Sequence, residues 1–349
     1  MNLNKCPRPA FRALIWLAIV FATVSIASAS WKEKVLYSFQ GGNDGSVPVG
    51  ALALDKAGNL YGATVYGGSI SVCNAGWCGT AYQLSPGQNG WTETILHFFQ
   101  GKPTQDGGAP NGGVISDASG NLYGVTAYGG AGNCILLGSN VGCGTVYQLH
   151  PPSGPGATWT ESVIYSFQGG KDGFYPQGDL VFDKSGNLFG ATGFGGGGGG
   201  SSCGAFYNGC GTIFELSPPK QKGGKWTEAI LYRFQNKKDG GYPNGGLVFD
   251  NNGVIYGTAY CGGQAPCKNF NGGYGTVFGL HSNVGKPQPW QFKVIYTFKG
   301  NPDASYPAAG LAVGNAALYG TSKTGGNSQG HLGTVFELLP SRRKRGRVE

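Results

Sequence analysis

The sequence has few of the residues on which helical and membrane proteins depend. It contains one Met in 349 residues, and only 12% of its residues are charged. Strong helix formers are scarce, which argues against a helical protein. After residue 29 no apolar run approaches the about 20 residues needed to span a bilayer. We therefore expect no membrane span in the mature chain.

A basic face of the kind that binds nucleic acid is also missing. Of the 25 Lys and Arg, three lie in residues 1–29 and five lie in residues 341–349, which leaves 17 in the body. The body holds 16 of the 17 acids, so it is nearly neutral. Phosphate binding needs clustered positive charge, and we expect no nucleic-acid partner. We interpret residues 341–349 as a basic disordered tail, with adhesion to an anionic surface as the alternative.

Residues 1–29 are predicted to be a secretory signal peptide. They carry Lys5, Arg8 and Arg12, then an apolar run from Ala13 to Ala22, and then the small residues Ala27-Ser28-Ala29. A basic start, a short apolar run and a small-residue site are the features that a signal peptidase recognises. We expect export, with the mature protein in the periplasm, outside the cell or on its surface.

Glycine and aromatic residues are abundant, and they recur in one repeated phrase. Gly accounts for 67 residues and aromatics for 13% of the chain. Each repeat opens with Trp and an alternating strand, followed by an Asp-Pro loop, a short apolar strand, a Leu-Tyr-Gly-x-Thr strand, a Gly-rich loop and a Gly-Thr-Val-Phe-Glu-Leu strand. The five repeats lie near residues 31–90, 91–158, 159–225, 226–289 and 290–340.

Four short strands per unit, repeated five times, predict an all-β, five-bladed β-propeller over residues 30–340. A β-helix would repeat in far fewer residues. The chain opens with a Trp strand at 31–39 and ends with a third strand at 333–339, so the last blade lacks its outermost strand. We expect the N-terminal strand to pair with the last repeat and close the ring, which removes an exposed edge. A closed ring is expected to be a monomer.

Eight cysteines follow the leader in four local pairs within the loops between the second and third strands. Zinc sites favour fixed C-x2-C spacings, whereas four, eight, six and five residues intervene here. Exported proteins form disulfides. We predict four intra-loop bridges and no metal: Cys73 with Cys78, Cys134 with Cys143, Cys203 with Cys210, and Cys261 with Cys267.

Two sets of repeated aspartates are interpreted as turn residues. Asp55, Asp117, Asp183 and Asp250 begin hairpins in which Asp accepts backbone N–H bonds. One Asp also recurs in each Asp-Pro loop, for which a ring of carboxylates that binds cations or sugars is the alternative: Asp44, Asp106, Asp172, Asp239 and Asp303. The Asp-Pro loops and the cysteine loops are expected on the same face, because both occupy the same end of alternating strands, and this face is the default binding surface.

The repeat resembles the GloVer tandem-repeat proteins of bacteria such as Acidobacteria and Verrucomicrobia. The resemblance rests on an Asp-Gly-x-x-Pro loop (44–48, 172–176, 239–243), on Gly-Asn-Leu-Tyr-Gly-x-Thr (58–64, 120–126) and on Gly-Cys-Gly-Thr (142–145, 209–212), and it covers residues 31–340. It implies an exported protein and no known activity. Many members carry a C-terminal sorting anchor, and the basic tail here has no apolar segment.

Residues that differ between repeats are the better candidates for binding a ligand without five-fold symmetry. Near the axis, Asp179 is the only carboxylate at its repeat position, and Asn111, Gln177 and Asn244 would form a polar lip around it. Chance variation at a solvated loop end is the alternative. Since the other repeats have Ala or Gly at this place, loss of Asp179 is expected to weaken binding and leave stability unchanged. Aromatic residues expected to be exposed on the same face are Trp77, Tyr66, Tyr128, Phe194 and Tyr260.

The sequence favours a non-catalytic binding or scaffolding protein whose ligand is a glycan or a cell-surface component. A propeller glycosidase needs at least two carboxylates at its channel, and only Asp179 can be placed there. The four His occupy unrelated positions in the repeats, and no Ser-His-Asp or Cys-His group can be identified in the sequence. We assign no catalytic residue, no metal and no cofactor. A secreted carbohydrate-active enzyme and a structural envelope or matrix protein are the alternatives.

Overall fold

The computed structural model describes residues 32–68, 78–197, 203, 209–267, 272–283, 290–327 and 330–340. The chain divides into two compact units, Met1–Val35 and Leu36–Glu349. In the first unit, residues 32–35 belong to no helix or strand. The described part of the second unit is β structure with 3₁₀ turns at Gly42–Asp44 and Lys102–Thr104. No helix in the described ranges is long and apolar enough to cross a membrane.

Five antiparallel sheets follow one another along the second unit as the blades of a β-propeller, as predicted. Blade one is β1 (Ser46–Leu54), β2 (Leu60–Tyr66), β3 (Thr80–Gly87) and β4 (Gly90–Phe98). Blade two is β5 (Gly107–Pro110), β6 (Ile115–Ser116), β7 (Leu122–Gly129), β10 (Thr145–His150) and β11 (Thr160–Ser166), with a hairpin of β8 (Ile135–Leu136) and β9 (Ser139–Asn140).

The other three blades repeat this order. Blade three is β12 (Phe174–Phe182), β13 (Leu188–Phe194), β14 (Thr212–Ser217) and β15 (Thr227–Arg233). Blade four is β16 (Gly241–Pro243), β17 (Val248–Phe249), β18 (Ile255–Cys261), β19 (Thr276–Ser282) and β20 (Trp290–Thr297). Blade five is β21 (Ala304–Pro307), β22 (Ala312–Gly314), β23 (Ala317–Gly325) and β24 (Thr334–Leu338).

The innermost strand is longer than the short apolar strand expected from the sequence. In blades one and three it runs from the Asp-Pro loop to the hairpin, with a register shift in the middle. In the other blades the same segment splits into two short strands that both pair with the next strand. The break falls after the Pro, beside positive-φ glycines such as Gly50 and Gly178, where the ladder is interrupted.

One aromatic contact recurs between successive repeats and forms much of the core. The Phe that ends each Trp strand packs edge-to-face on the aromatic ring of the next third strand, with centroid distances near 5 Å (Phe39–Tyr82, Phe99–Tyr147, Phe167–Phe214, Phe234–Phe278, Phe298–Phe336). The Gly of Leu-Tyr-Gly leaves room for this ring, because a Cβ on Gly124 would lie 2.4 Å from the Tyr147 hydroxyl oxygen.

The expected pairing of residues 31–39 with the last repeat is not present in the described residues. Residues 32–40 form no strand, and β24 pairs with β23 alone. Tyr37 contacts Asp44 and Phe39 contacts Tyr82, so these two residues pack on blade one. Within the described residues this segment therefore has no partner strand in blade five.

The junction between blades five and one, here called the open junction, differs from the other four at the glycine that precedes the third strand. At four junctions a Cβ on this Gly would lie 2.4 to 2.6 Å from the Pro ring of the next blade, as at Gly144 against Pro176. At Gly333 the nearest atoms belong to Ser322 and Lys323 of its own blade. Val335 on β24 is consequently 82% exposed, and Leu54 on β1 is 66% exposed.

Candidate functional site

The loops at one end of the blades are stapled by disulfides. Three predicted bridges are present, Cys134–Cys143, Cys203–Cys210 and Cys261–Cys267. The fourth involves Cys73, which lies outside the described residues. Bridges of this kind are made and kept in oxidising compartments. The protein therefore belongs to such a compartment.

The Asp-Pro loops and the cysteine loops lie on the same face, as predicted. In blade three, for example, the Gly196 N–H donates to the Gly170 carbonyl, which joins the two loops of that blade at 2.7 Å. Corresponding bonds join Gly130 to Asp106 and Gly263 to Lys237. This face therefore carries the long loops of neighbouring blades.

The repeated aspartates are turn residues. Asp55 accepts bonds from the backbone N–H groups of Ala57 and Asn59, and the other hairpin aspartates do the same. In the Asp-Pro loops, Asp172 accepts from the Tyr165 hydroxyl and the Gln168 N–H. The turn-capping interpretation is confirmed, because the same bonds recur at Asp44, Asp239 and Asp303.

A cleft of about 590 Å³ opens on the loop face over blades two to five. Its volume is in the range of small-molecule sites, which combine apolar walls with a few polar groups. Blades two to five each contribute one residue near the end of the second strand, and blades three to five also contribute residues that flank their Pro. The lining consists of Tyr128, Tyr175, Gln177, Phe194, Tyr242, Asn244, Tyr260, Ala308 and Lys323.

The aromatic wall is a row of rings that crosses the blade junctions. Tyr175 packs edge-to-face on Tyr128 at 5.4 Å between centroids and on Phe194 at 5.6 Å. Phe194 in turn packs on Tyr242 at 5.1 Å. Tyr260 packs on Tyr306, also at 5.1 Å. Because each ring is fixed by a ring of the neighbouring blade, the wall is preorganised.

Tyr175 and Tyr242 occupy a backbone conformation that side chains other than Gly rarely adopt. Their φ angles are 62° and 55°, and the residue before Pro has a similar φ in every blade. The conformation is held by a bond to the preceding blade, as from the Tyr175 N–H to the Cys143 carbonyl at 3.1 Å. Left-handed residues often mark functional sites. Since this one occurs in all five blades, it belongs to the repeat itself and does not by itself identify the cleft as a site.

Most of the predicted polar lip is engaged in bonds between blades. The Asn111 side-chain amide donates to the Pro176 carbonyl, and the Gln177 amide donates to the Pro243 carbonyl. Asn244 is next in this series, and within the described residues its side chain makes no hydrogen bond. Asn244 is therefore the amide of the lip that is best placed to meet a ligand.

Asp179 lies at the axis but is not among the residues that line the cleft. One of its carboxylate oxygens accepts from the Gly113 N–H at 2.6 Å and from the Ala51 N–H at 3.4 Å. The Gly113 N–H lies between β5 and β6 of blade two, and the Ala51 N–H lies in β1 of blade one. The carboxylate thus braces three blades, which is a structural role that the sequence did not show.

The predicted aromatic residues fall into three groups. Tyr128, Phe194 and Tyr260 line the cleft, but Phe194 is only 8% exposed, so the expectation of an exposed ring is wrong. The physical reason is that Tyr175 and Tyr242 cover it from both sides. Tyr66, which holds in blade one the position of Tyr128 and Phe194, is 39% exposed and outside the lining. Trp77 lies outside the described residues.

Four lining residues were not singled out from the sequence, namely Tyr175, Tyr242, Ala308 and Lys323. Tyr175 and Tyr242 precede the Pro of the Asp-Gly-x-x-Pro loop, and that position was a possible signal because it is Val47 or Ala109 in the first two blades. Lys323 stands in blade five at the position that Tyr260 holds in blade four. It is the one charged side chain in the described lining.

A second cleft of about 630 Å³ lies between blades three and four at the hairpin end. Its carboxylates, Asp183 and Asp250, are occupied by the N–H groups of their own turns. Several of its other polar groups, such as Lys184, Asn251 and Asn252, lie on the exposed hairpin turns. The cleft on the loop face has a fixed row of rings and is the stronger candidate site.

The fold and this site define a tandem-repeat β-propeller. The chain belongs to the Gloeobacter/Verrucomicrobia repeat family, whose family model matches residues 22–265. Among curated proteins none matches the chain.

The chain is similar to several solved structures at low identity. An oxidoreductase of Thermus thermophilus, described as a glucose dehydrogenase, is 19% identical with a TM-score of 0.47, over 88% of this chain and 86% of that protein. An α-L-arabinofuranosidase of Lactobacillus brevis is 11% identical with a TM-score of 0.41, over 83% and 89%. A GH32 β-fructofuranosidase of Bombyx mori is 13% identical with a TM-score of 0.42, over 84% and 60%. TM-scores this low carry no functional argument.

Proposed function

We propose that this protein is an exported, non-catalytic glycan-binding protein whose ligand lies in the aromatic cleft. The observation that carries the proposal is the wall of rings beside Asn244 and Gln177. The C–H face of a sugar packs on an aromatic ring, whose face is electron-rich. Side-chain amides both donate to and accept from hydroxyl groups. The predicted leader at 1–29 and the disulfides support action outside the cytoplasm.

Binding without hydrolysis is supported by the chemistry of the lining. Glycoside hydrolysis uses two carboxyl groups, one of them as an acid. Among the described residues that line the cleft there is no Asp or Glu, and the charged group is Lys323. A cation at the edge of an aromatic cleft favours a sugar that carries a carboxylate or sulfate.

A glycan array followed by calorimetry tests the proposal. Tyr260→Ala is expected to weaken binding by about 5- to 30-fold, as for loss of an aromatic anchor. Tyr66→Ala is the control, since Tyr66 ends the second strand of blade one and lies outside the cleft. Lys323→Met is expected to weaken the binding of acidic glycans more than the binding of neutral glycans.

A hydrolysis assay on the glycans that bind completes the test. We expect no product. Release of reducing ends by the wild type would exclude a non-catalytic function. Equal effects of the Tyr260 and Tyr66 variants on binding would exclude the proposed site.

A further inference from the structure

The second repeat differs from the others at the end of its outermost strand. In four repeats a Tyr stands there and its hydroxyl donates to the Asp of the following loop, as Tyr165 does to Asp172 at 2.9 Å. In the second repeat the residue is His97, and its Nε2 lies 3.0 Å from an Asp106 carboxylate oxygen. The exchange replaces a phenol with an imidazole nitrogen that can bind a metal.

Glu161 on β11 brings a second carboxylate to the same place. One oxygen of Glu161 is buried and has no hydrogen-bond partner. Ligand atoms of His97, Asp106 and Glu161 all lie within 4.8 Å of one another. A buried carboxylate oxygen without a donor needs a proton or a cation.

We propose that His97, Asp106 and Glu161 bind a divalent transition-metal cation between the outer strands of blades one and two. One imidazole nitrogen with two carboxylates suits ions such as Zn²⁺ or Mn²⁺. The His97 and Asp106 side chains are 20% and 11% exposed, so an ion can reach them and water can complete its coordination.

The other repeats lack this combination of ligands. Glu93 and Glu228 repeat the buried, unpartnered oxygen of Glu161, but the residue beside the loop Asp is then Tyr37 or Tyr165. Beside Tyr232 and Asp239 of the fourth repeat, Phe292 of the fifth repeat takes the place of the Glu and stacks on Tyr232 at 3.6 Å between centroids. A neutral phenol that donates to Asp leaves no nitrogen ligand. Among the described residues, only the contact of the second repeat with the third therefore offers both carboxylates and an imidazole.

The ligands come from both sides of a blade junction. His97 lies at the end of β4 in blade one, Asp106 lies in the loop that leads to blade two, and Glu161 lies on the outermost strand of blade two. An ion bound here would tie the two outer strands together. The unfolded chain has no preformed site, so the ion would bind the folded state only. The stability of the protein should therefore rise with the concentration of the ion.

The test uses the full mature protein without a polyhistidine tag, treated with EDTA and titrated with Zn²⁺ by calorimetry. We expect one equivalent to bind and the melting temperature to rise with Zn²⁺. His97→Tyr restores the Tyr–Asp pair of the other repeats, so it should fold and should weaken this binding by about 100-fold or more. Glu161→Gln is expected to do the same if the first variant fails to fold.

The reverse exchange is a sharper test. Tyr165→His places an imidazole beside Asp172 and near Glu228, and it is expected to add a second equivalent of Zn²⁺. Absence of binding to the wild type, or unchanged binding in a folded His97→Tyr variant, would overturn the proposal. In the latter case the ion is held by His150 or another exposed side chain.

Discussion

Replacing Asp179 with Ala is expected to destabilise the propeller, contrary to the expectation from the sequence alone. The carboxylate accepts a 2.6 Å bond from the Gly113 N–H, and Gly113 is buried. Removal of the acceptor leaves this N–H without a partner. A hydrogen bond to a charged group contributes about 1.5 to 3 kcal/mol, and the 3.4 Å bond from the Ala51 N–H adds little.

The loss converts into a measurable fall in melting temperature. Unfolding entropy is about 2.1 cal/mol/K per residue, or roughly 0.65 kcal/mol/K for about 310 residues. A loss of about 1.5 to 3 kcal/mol therefore lowers the melting temperature by about 2 to 5 °C. Differential scanning calorimetry resolves a change of this size. Asp179→Asn keeps an oxygen acceptor without its charge and is expected to lose about half as much.

Ligand binding separates the structural role of Asp179 from a recognition role. Because Asp179 does not line the cleft, Asp179→Ala should leave glycan affinity within about 2-fold at temperatures where the variant is folded. An unchanged melting temperature together with a 10-fold loss of affinity would refute the structural reasoning. The carboxylate would then be a ligand-binding group, as the sequence suggested.

Three further predictions follow from burial, loop closure and the open edge. Burial, and next the charge of Asp172, raise the pKa of Glu228 to about 7, whereas the same carboxyl in the unfolded chain ionises near pH 4.5. The free energy of unfolding should therefore fall as the pH rises from about 4.5 to about 7. Glu228→Gln should flatten this part of a profile of the urea midpoint against pH. Replacing Cys203 and Cys210 with Ser should cost at most about 2.5 kcal/mol in thermal or urea unfolding, because the closed loop is short. Val335→Lys on the β24 edge should reduce concentration-dependent self-association in light scattering, and a wild type that is monomeric at every concentration would contradict the open edge.

The repeat pattern was enough to predict the blades, because each strand carries its own alternation of apolar residues and each hairpin its own Asp and Gly. The same reasoning placed the disulfides, whose partners are close in sequence. Both features depend on short-range constraints, which a single sequence displays directly.

The features that the sequence did not show depend on groups that meet across blades. Asp179 was placed near the axis, but its bonds go to backbone N–H groups 66 and 128 residues away. His97 meets Asp106 and Glu161 from different strands, although its replacement of Tyr was visible when the Trp strands were aligned. The left-handed φ of Tyr175 has no signature of its own, since Val, Ala and Tyr all occur at this position.

Differences between equivalent positions concentrate the candidate site on blades two to five. The cleft takes rings from the ends of second strands and from the residues before Pro, and it crosses three junctions in which Pro rings lie against glycines of the preceding blade. Those contacts set the spacing of the rings, so ligand binding should depend on the junctions after blades two, three and four. Blade one contributes no lining residue and borders the open junction with blade five.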